Sequence, residues 1–324
     1  MLIENPGSRH FEHLLHLRKV DVIGSLPAAD LGLLAEYGRE RFFPKGAFLL
    51  HEGEPVTCLH CIVAGRVHLS RQGRPVGRAG PGAGVGGLGL LARDEHGVNA
   101  VAETDTVTIA FDADSLLETF EDRFAIFHHV LRELCRRVVH RLQRERPAIE
   151  GDGHQQRAPM ASEEPLDLVE RIVLLRRSAP FTHSSLSALA ELARGLHEVS
   201  YAPGELLWRR GEPWNGALLL LADGVVDCTG DVYRQQARRG VPLGSVEALA
   251  EEPRWYDAVA ATPVLALRGH SSEMLDVLED NVDMGLDLLA SVARGLLRLA
   301  ESDECSGGGT LGRFYGCEAL PAPE

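Results

Sequence analysis

The sequence predicts a mainly β protein in which two β jelly rolls (double-stranded β-helices), flanked by α-helices, follow one another in tandem. Three observations predict this fold. The 324-residue chain repeats itself at an interval of 158 residues, which places Gly46 on Gly204. Each copy contains many short apolar segments separated by glycine and proline, as strands and turns require. Amphipathic helical patterns open and close each copy, so helices flank the sheets.

The repeat is clearest where turns are expected. The segment "FPKGAFLLHEGEPV" at 43–56 aligns with "YAPGELLWRRGEPW" at 201–214, and both contain Gly-Glu-Pro. Further on, "CIVAGRVHL" matches "LLLADGVVDC" after a shift of one residue, which places Gly65 on Gly224. Special turn residues coincide at too many positions for chance, and the chain is therefore a tandem duplication.

Each copy has the same predicted order of elements. An amphipathic helix comes first, with apolar residues at Leu26, Leu31 and Leu34 in one copy and at Leu186, Leu189 and Leu192 in the other. Short strands follow, and a longer helix closes the copy. Its apolar residues keep a three-and-four spacing from 120 to 142 and from 275 to 299, which predicts a continuous seam. Such seams favour a homodimer, or pack inside the chain if the protein is a monomer.

The composition of the connecting segments sets the predicted domain boundaries. Polar residues with proline and glycine from 144 to 165 indicate a flexible linker. We therefore predict a first domain at 1–145, a linker at 146–165, a second domain at 166–302 and a disordered tail at 303–324.

Charge and composition exclude several classes of protein. The net charge is −14, and from Phe181 onward 22 acidic residues face 11 arginines and no lysine, so we expect no nucleic-acid partner. No apolar run reaches the roughly 20 residues of a spanning helix, and the N-terminus does not resemble a signal peptide, which predicts a cytoplasmic protein without a membrane partner. The bias of arginine over lysine hints at a bacterial source. Six cysteines are too sparse for a disulfide framework, and no metal site is predicted.

The glycine-rich stretch "GAGVGGLG" at 82–89 twice satisfies the GxGxxG pattern of dinucleotide-binding loops. That pattern needs a buried strand before it and a helix after it. The preceding "SRQGRPVGRAGP" is not a buried strand, and Gly97 interrupts the segment that follows. The glycines therefore indicate something other than a Rossmann loop.

Both copies resemble the cyclic nucleotide-binding domain, the roll of the bacterial catabolite activators and of the protein kinase A regulatory subunit. The resemblance rests on "FPKGAFLLHEGEPVTCLHCIVAGRVHL" and "GPGAGVGGLGLL" in the first copy, and on "YAPGELLWRRGEPWNGALLLLADGVV" and "EEPRWYDAVAAT" in the second. It covers nearly the whole chain except the linker and tail. It implies a phosphate-binding cassette of the form G-E-L-A-L, a variable run, then P-R-A-A-x-V. In the family, the Glu of this cassette binds the ribose hydroxyl, the Arg binds the cyclic phosphate, and a helix N-terminus adds backbone donors.

The first cassette departs from this pattern. Glycine stands where the family has glutamate, and the arginine position falls near a second glycine, so the resemblance predicts a degenerate pocket at Gly86, Gly87, Leu88 and Gly97. The second cassette keeps the Pro-Arg pair, with bulky Trp255 and Tyr256 after it. These aromatic residues either fill the pocket or stack on a base. The candidate ligand-binding residues of the second domain are Gly244, Ser245, Val246, Glu247, Arg254 and Trp255.

The sequence thus predicts a non-enzymatic regulatory protein, since it contains no catalytic arrangement and no winged helix after the second roll. In one hypothesis the second domain senses a cyclic nucleotide or another anion, with no other cofactor. In the alternative both pockets are inactive and the rolls form a protein-interaction scaffold. Both hypotheses imply a protein partner.

Overall fold

The described part of the chain forms two β rolls of identical strand order. The computed structural model describes residues 6–144, 165–231 and 234–304. Most of the predicted linker and tail lies outside these residues. The described residues divide into two compact units: the first runs up to Val130 and also takes Ala293 onward, and the second lies within Leu131–Val292.

The first roll is preceded and followed by helices. Its elements in chain order are α1 (Pro6–Leu17), α2 (Ala28–Tyr37), β1 (Arg39–Phe43), β2 (Phe48–Leu50), β3 (Cys58–Ala64), β4 (Val67–Arg71), β5 (Arg74–Ala79), β6 (Gly84–Val85), α3 (Gly87–Ala92), β7 (Asn99–Ala102), β8 (Thr106–Asp112), α4 (Ala113–Asp122) and α5 (Phe124–Arg144).

The second roll repeats this order. Its elements are α6 (Leu168–Arg177), α7 (Leu186–Arg194), β9 (His197–Tyr201), β10 (Leu206–Trp208), β11 (Ala217–Asp223), β12 (Val226–Thr229), β13 (Arg234–Ala237), β14 (Pro242–Leu243), α8 (Ser245–Ala250), β15 (Asp257–Ala260), β16 (Val264–His270), α9 (Ser271–Asp280) and α10 (Val282–Glu304), with a short 3-10 turn at Ala179–Phe181.

Each roll consists of two four-stranded antiparallel sheets. The strand orders are β1-β8-β3-β6 and β2-β7-β4-β5 in the first roll, and β9-β16-β11-β14 and β10-β15-β12-β13 in the second. Adding eight to each strand number of the first roll gives the second. The prediction of two jelly rolls is therefore confirmed. The segment before the glycine stretch does form a strand, β5, but it pairs antiparallel with β4 and is not the buried parallel strand of a Rossmann unit.

The helices nearest the cassettes begin for local reasons. Ser185 accepts a hydrogen bond from the Ala188 backbone and so caps α7. Asp167 and Glu170 form a reciprocal capping box at the start of α6. Leu31 and Leu34 of α2 and Leu189 and Leu192 of α7 are buried, as the sequence predicted. Leu186 is an exception, because it is the first residue of α7 and is 62% exposed.

The closing helices differ from the predicted continuous seam. The chain leaves the helical conformation at Arg123, where φ is −137° and ψ is 79°, and at Asn281, where φ is −130° and ψ is 71°. Each seam is therefore split between a short helix and a long one. The reason is that the three-and-four spacing of apolar residues continues across the break, so periodicity alone could not reveal it.

Candidate functional site

In both rolls the residue before the cassette helix is a glycine whose left-handed backbone conformation favours glycine over other residues. Gly86 precedes α3 with φ +93°, and Gly244 precedes α8 with φ +71°. A Cβ atom at Gly86 would lie 2.6 Å from the Cys58 carbonyl oxygen, closer than real contacts allow. The need for glycine at position 86 of the first copy thus follows from a left-handed backbone and a close approach of β3, not from a dinucleotide.

Arg254 is the central side chain of the second cassette, and only 5% of it is exposed. Its Nη1 donates to the Gly244 carbonyl at 3.0 Å, and its Nη2 donates to the Ala217 carbonyl. The guanidinium carbon lies 4.4 Å from the ring centroid of Trp208, a cation–π contact. The chain itself therefore provides acceptors and an aromatic face for this guanidinium.

A one-residue insertion lies next to Arg254. β3 starts at residue 58 and β11 at residue 217, which is one residue more than the interval of the repeat. The cassette helices α3 and α8 keep the 158-residue interval. The additional residue lies in the Asn215–Gly216 turn, where Gly216 has φ +72°. Asn215 Oδ1 lies 3.5 Å from Arg254 Nη2, and Trp214 Nε1 donates to the Ala248 carbonyl at 2.9 Å. The turn is thus tied both to the arginine and to α8.

Glu247, on α8, is buried beside the arginine with 3% exposure. Burial raises the pKa of its carboxyl group, while a backbone hydrogen bond, the Arg254 charge and donors from Trp255 and Tyr256 act in the opposite direction. A carboxyl group of the protein therefore occupies the interior of the cassette, among the donors that an anionic ligand would need.

Three aromatic side chains complete the interior. Trp208, Trp255 and Tyr256 are each no more than 8% exposed. The ring centroids of Trp208 and Tyr256 are 5.6 Å apart, and those of Trp255 and Tyr256 are 4.9 Å apart, both edge-on. Together with Glu247 and Arg254 they form what we call the cassette plug. The sequence left two roles open for Trp255 and Tyr256, filling the pocket or stacking on a base. Their buried rings pack on one another, which corresponds to the first role.

The predicted site residues separate into two groups. Gly244, Glu247, Arg254 and Trp255 come together in and around the plug, whereas Ser245 and Val246 line an apolar cavity that contains none of the plug residues. Sequence reasoning missed Trp208, Asn215 and Ala217, which contact the arginine. The one-residue shift between the copies was the available signal for the last two.

The first cassette has the same backbone without the plug. The Gly53 amide donates to the His96 carbonyl at 2.8 Å, as the Gly211 amide donates to the Arg254 carbonyl at 2.7 Å. His96 therefore occupies the arginine position, one residue before the Gly97 that the sequence indicated. Its side chain is 78% exposed and lies near Asp94.

At the remaining plug positions the 158-residue interval leads to smaller residues: Leu50 for Trp208, Gly89 for Glu247, Gly97 for Trp255 and Val98 for Tyr256. Next to the plug, Gly87 corresponds to Ser245 and Leu88 to Val246. The first cassette thus has neither an acidic nor an arginine side chain at the positions that the family uses.

The cysteines and histidine of β3 are buried core residues. Burial raises the pKa of the Cys61 thiol to about 12 and that of the Cys58 thiol as well. Burial also lowers the pKa of His60 to about 4, with a smaller contribution from Arg41. Among the residues that the structure describes, no group of three or more His, Cys, Asp or Glu side chains could hold a metal ion.

The fold and the repeated cassette define a protein with two rolls of the cyclic-nucleotide-binding type. Comparison with known families supports this class: residues 40–123 match the family model described as "Cyclic nucleotide-binding domain". The second roll repeats the strand order and the cassette helix of the first. The predicted tandem of two rolls of the cyclic-nucleotide-binding type is thus confirmed.

Two curated relatives show different extents of similarity. The "Cyclic AMP receptor protein" of Thermus thermophilus is 27% identical over 118 residues, which is 35% of this chain and 55% of that protein. An "Uncharacterized NTE family protein" of Mycobacterium tuberculosis is 24% identical over 341 residues, which is 96% of this chain and 57% of that protein. The chain therefore spans about half the length of the curated relatives it matches.

Among solved structures, a regulatory subunit of a cAMP-independent protein kinase A from Trypanosoma brucei is similar over 87% of this chain and 92% of that chain, with 19% identity and a TM-score of 0.35. Within the described ranges, no helix is both long and apolar enough to cross a membrane.

Proposed function

We propose that this protein is a non-enzymatic cytoplasmic regulator whose two rolls act through protein contacts and bind no cyclic nucleotide. This is the scaffold alternative that the sequence left open. The observation that carries it is the cassette plug, because the guanidinium that would receive a cyclic phosphate in the second roll is already engaged by the chain.

The plug competes with a ligand in three ways. Displacing the carbonyls of Gly244 and Ala217 from Arg254 would leave buried acceptors unsatisfied, which costs about 1–3 kcal/mol for each group. A cyclic phosphate would also have to share the buried site with the carboxyl group of Glu247, whose ionised form would repel it at short range in a low dielectric. Finally, the buried rings of Trp255 and Tyr256 occupy volume at positions where the family has small residues.

The first roll supports the same conclusion for a different reason. It has no plug, but it also lacks the charges that a cyclic phosphate requires. His96 at the arginine position is exposed and near Asp94, and glycine occupies the glutamate position at 87. Transfer of a phosphate into such a site would leave its charge uncompensated.

The relatives are consistent with a regulatory module. The matched part of the NTE family protein accounts for 57% of its length, so a region similar to this chain occurs there together with further chain. We infer that the rolls of the present protein likewise act on a partner protein, and that this partner, not the rolls, carries any enzymatic activity.

A second candidate keeps the second roll as a sensor of a cyclic nucleotide or another small anion. Trp208 Nε1 is buried and has no hydrogen-bond partner among the described residues, although it belongs to the ring that Arg254 covers. An unsatisfied donor beside a guanidinium is a group that a ligand acceptor would satisfy. In this case the ligand would have to displace the carbonyls from Arg254, and the plug would be the ligand-free state.

Isothermal titration calorimetry on the full chain distinguishes the two candidates. We expect no binding heat and no thermal shift with cAMP, cGMP or cyclic dinucleotides at millimolar concentration. A saturable heat that disappears in Arg254→Ala would establish the sensor and refute the scaffold.

A matched variant tests the cause of the inactivity. Trp255→Gly introduces the residue that the first cassette has at the corresponding position, Gly97. Glu247→Gly likewise introduces the counterpart of Gly89. If the plug blocks the site, the double variant should gain measurable affinity for a cyclic nucleotide through the retained Arg254. If the double variant folds and still binds nothing, the plug is not the cause.

A further inference from the structure

A cavity of about 150 Å³ lies in the second unit, next to the cassette helix but outside the plug. It is bounded on one side by Val246 and Leu249 of α8 and on another by Met274 and Val277 of α9. Leu218 and Leu220 of β11 form its floor, and the walls are almost entirely apolar. An engineered apolar cavity of similar volume accepts benzene, so a space of this size and lining has room for a small apolar molecule.

The repeat shows how the side chains around this space differ between the two rolls. Gly269 lines the cavity, and the corresponding residue of the first roll, 158 positions earlier, is Phe111, which is buried. The neighbouring pair of corresponding residues, 38 and 196, differs in the opposite sense. Gly38 lies against Phe111 in the first roll, and Leu196 lies against Gly269 in the second. The same part of each roll is thus filled by a different side chain, Phe111 in the first and Leu196 in the second.

The charged groups that line the cavity are acidic. Glu191 and Glu273 line it and are exposed, and no arginine or lysine lines it. His270 is the other titratable residue there, and its ring nitrogens lie within hydrogen-bond distance of Ser272 Oγ and the Asn215 carbonyl. A ligand with an apolar body therefore meets negative charge where its polar end reaches solvent.

The surrounding elements are those that close the roll. α8 carries the cassette, α9 and the first part of α10 form the closing helices, and the 3-10 turn at Ala179–Phe181 supplies Phe181. An occupant would contact all of them at once and would stabilise their packing against the sheet.

We propose that this cavity is a binding site for a small amphiphile with an alkyl or aromatic body and an amine or neutral polar group. The site is separate from the cassette, so the second roll can respond to an apolar ligand although its cassette is plugged. Carboxylates and phosphates of the same hydrophobic size are disfavoured by the two glutamates.

Thermal shift and calorimetry on the full chain with 1-hexylamine, hexan-1-ol and hexanoate test the proposal. We expect hexylamine and hexanol to bind saturably and to raise the melting temperature, and hexanoate to bind roughly five-fold more weakly than hexylamine because of the acidic rim. Glu191→Gln with Glu273→Gln should remove the preference for the amine while retaining hexanol binding. Absence of binding by both hexylamine and hexanol would overturn the proposal.

Variants that fill the cavity provide a second test of the proposal. Val246→Phe places a larger side chain in the cavity and should abolish hexanol binding. Leu88→Phe, at the corresponding position of the first roll, is the matched control and should leave binding unchanged. If Val246→Phe does not fold, Val292→Phe fills the same cavity from α10. Undiminished hexanol binding in a folded, filled variant would show that the ligand binds elsewhere and would refute the site.

Discussion

At the scale of single residues, Arg254 shows how a family's ligand-binding group can become a structural one. A buried guanidinium needs several acceptors, and here two backbone carbonyls and an aromatic face supply what the phosphate supplies in the family. Trp208, the residue that carries the aromatic face, is 46 positions earlier in the chain, at the end of β10. Sequence comparison found the arginine but not its neighbours, since long-range contacts between strands leave no local pattern.

Replacing Arg254 tests this structural role. Arg254→Ala should lower the free energy of unfolding by about 2–4 kcal/mol, because it leaves the Gly244 and Ala217 carbonyls and the Glu247 carboxyl group without their cationic partner. Urea denaturation measures the loss. Arg176→Ala, at an exposed position on α6, is the control and should change stability by no more than about 0.5 kcal/mol. Equal stability of the two variants would mean that Arg254 is free for a ligand.

His60 predicts a pH dependence of stability in the first roll. Its folded-state pKa, about 4, lies below its ordinary 6.5, so the unfolded chain binds the proton more tightly. The first roll should therefore be most stable above pH 6.5 and lose up to about 3 kcal/mol as the pH falls from 6.5 to 4.

The second roll supplies the matched variant for this test. Leu219 and Ala266 occupy the positions of His60 and its hydrogen-bond partner Thr108. In the His60→Leu, Thr108→Ala double variant, the protection factors of the β3 and β8 amides against hydrogen exchange should no longer decrease as the pH falls from 6.5 to 4. Persistence of the wild-type pH profile would show that other groups cause it.

At the scale of elements, the glycine positions and the strand order followed from the sequence, and the ends of the helices did not. The repeat fixes turns through residues such as Gly65 and Gly224, which have φ of +94° and +88° and little space for a side chain. The sequence placed the arginine position only approximately, near Gly97, because the cassette of the first copy keeps none of the residues that would align it; the position falls at His96. Backbone hydrogen bonds, which sequence does not show, settle that register.

A pair of glycines distinguishes backbone strain from steric exclusion. Gly86→Ala should destabilise the first roll by more than 2 kcal/mol, because the new Cβ would combine a left-handed φ with a 2.6 Å approach to the Cys58 carbonyl. Gly73→Ala, in the β4–β5 turn, has the same sign of φ with nothing within 4 Å, and should cost only about 1 kcal/mol. Denaturation midpoints compare the two. Similar losses would mean that the close approach to β3 does not matter.

At the scale of the whole molecule, the closing helices bear on how the protein associates. The seam residues that suggested a homodimer are largely buried within a single chain, among them Ile126, Leu131 and Leu134 of α5 and Leu289 and Leu296 of α10. Apolar surface that is already buried contributes no further free energy to association. This favours the second possibility from the sequence, that the seams pack inside the chain.

We therefore expect a monomer. Light scattering at 10–100 μM, in the usual range for such measurements, should give the mass of one 35.2 kDa chain. Dimers that dissociate when Leu131 or Leu134 is replaced by Asn, while the variants remain folded, would instead show that the seams join two chains.

The most direct test of the central claim, that the second cassette is closed by its own side chains, uses the tryptophans. The chain has three, and Trp208, Trp214 and Trp255 all lie at the second cassette, so intrinsic fluorescence reports on this site alone. Titration with cAMP and with cGMP, corrected for absorbance, should leave the emission of the full chain unchanged to millimolar concentration. A saturable change in emission that is absent in Arg254→Ala would contradict the account and show that the plug opens for a nucleotide.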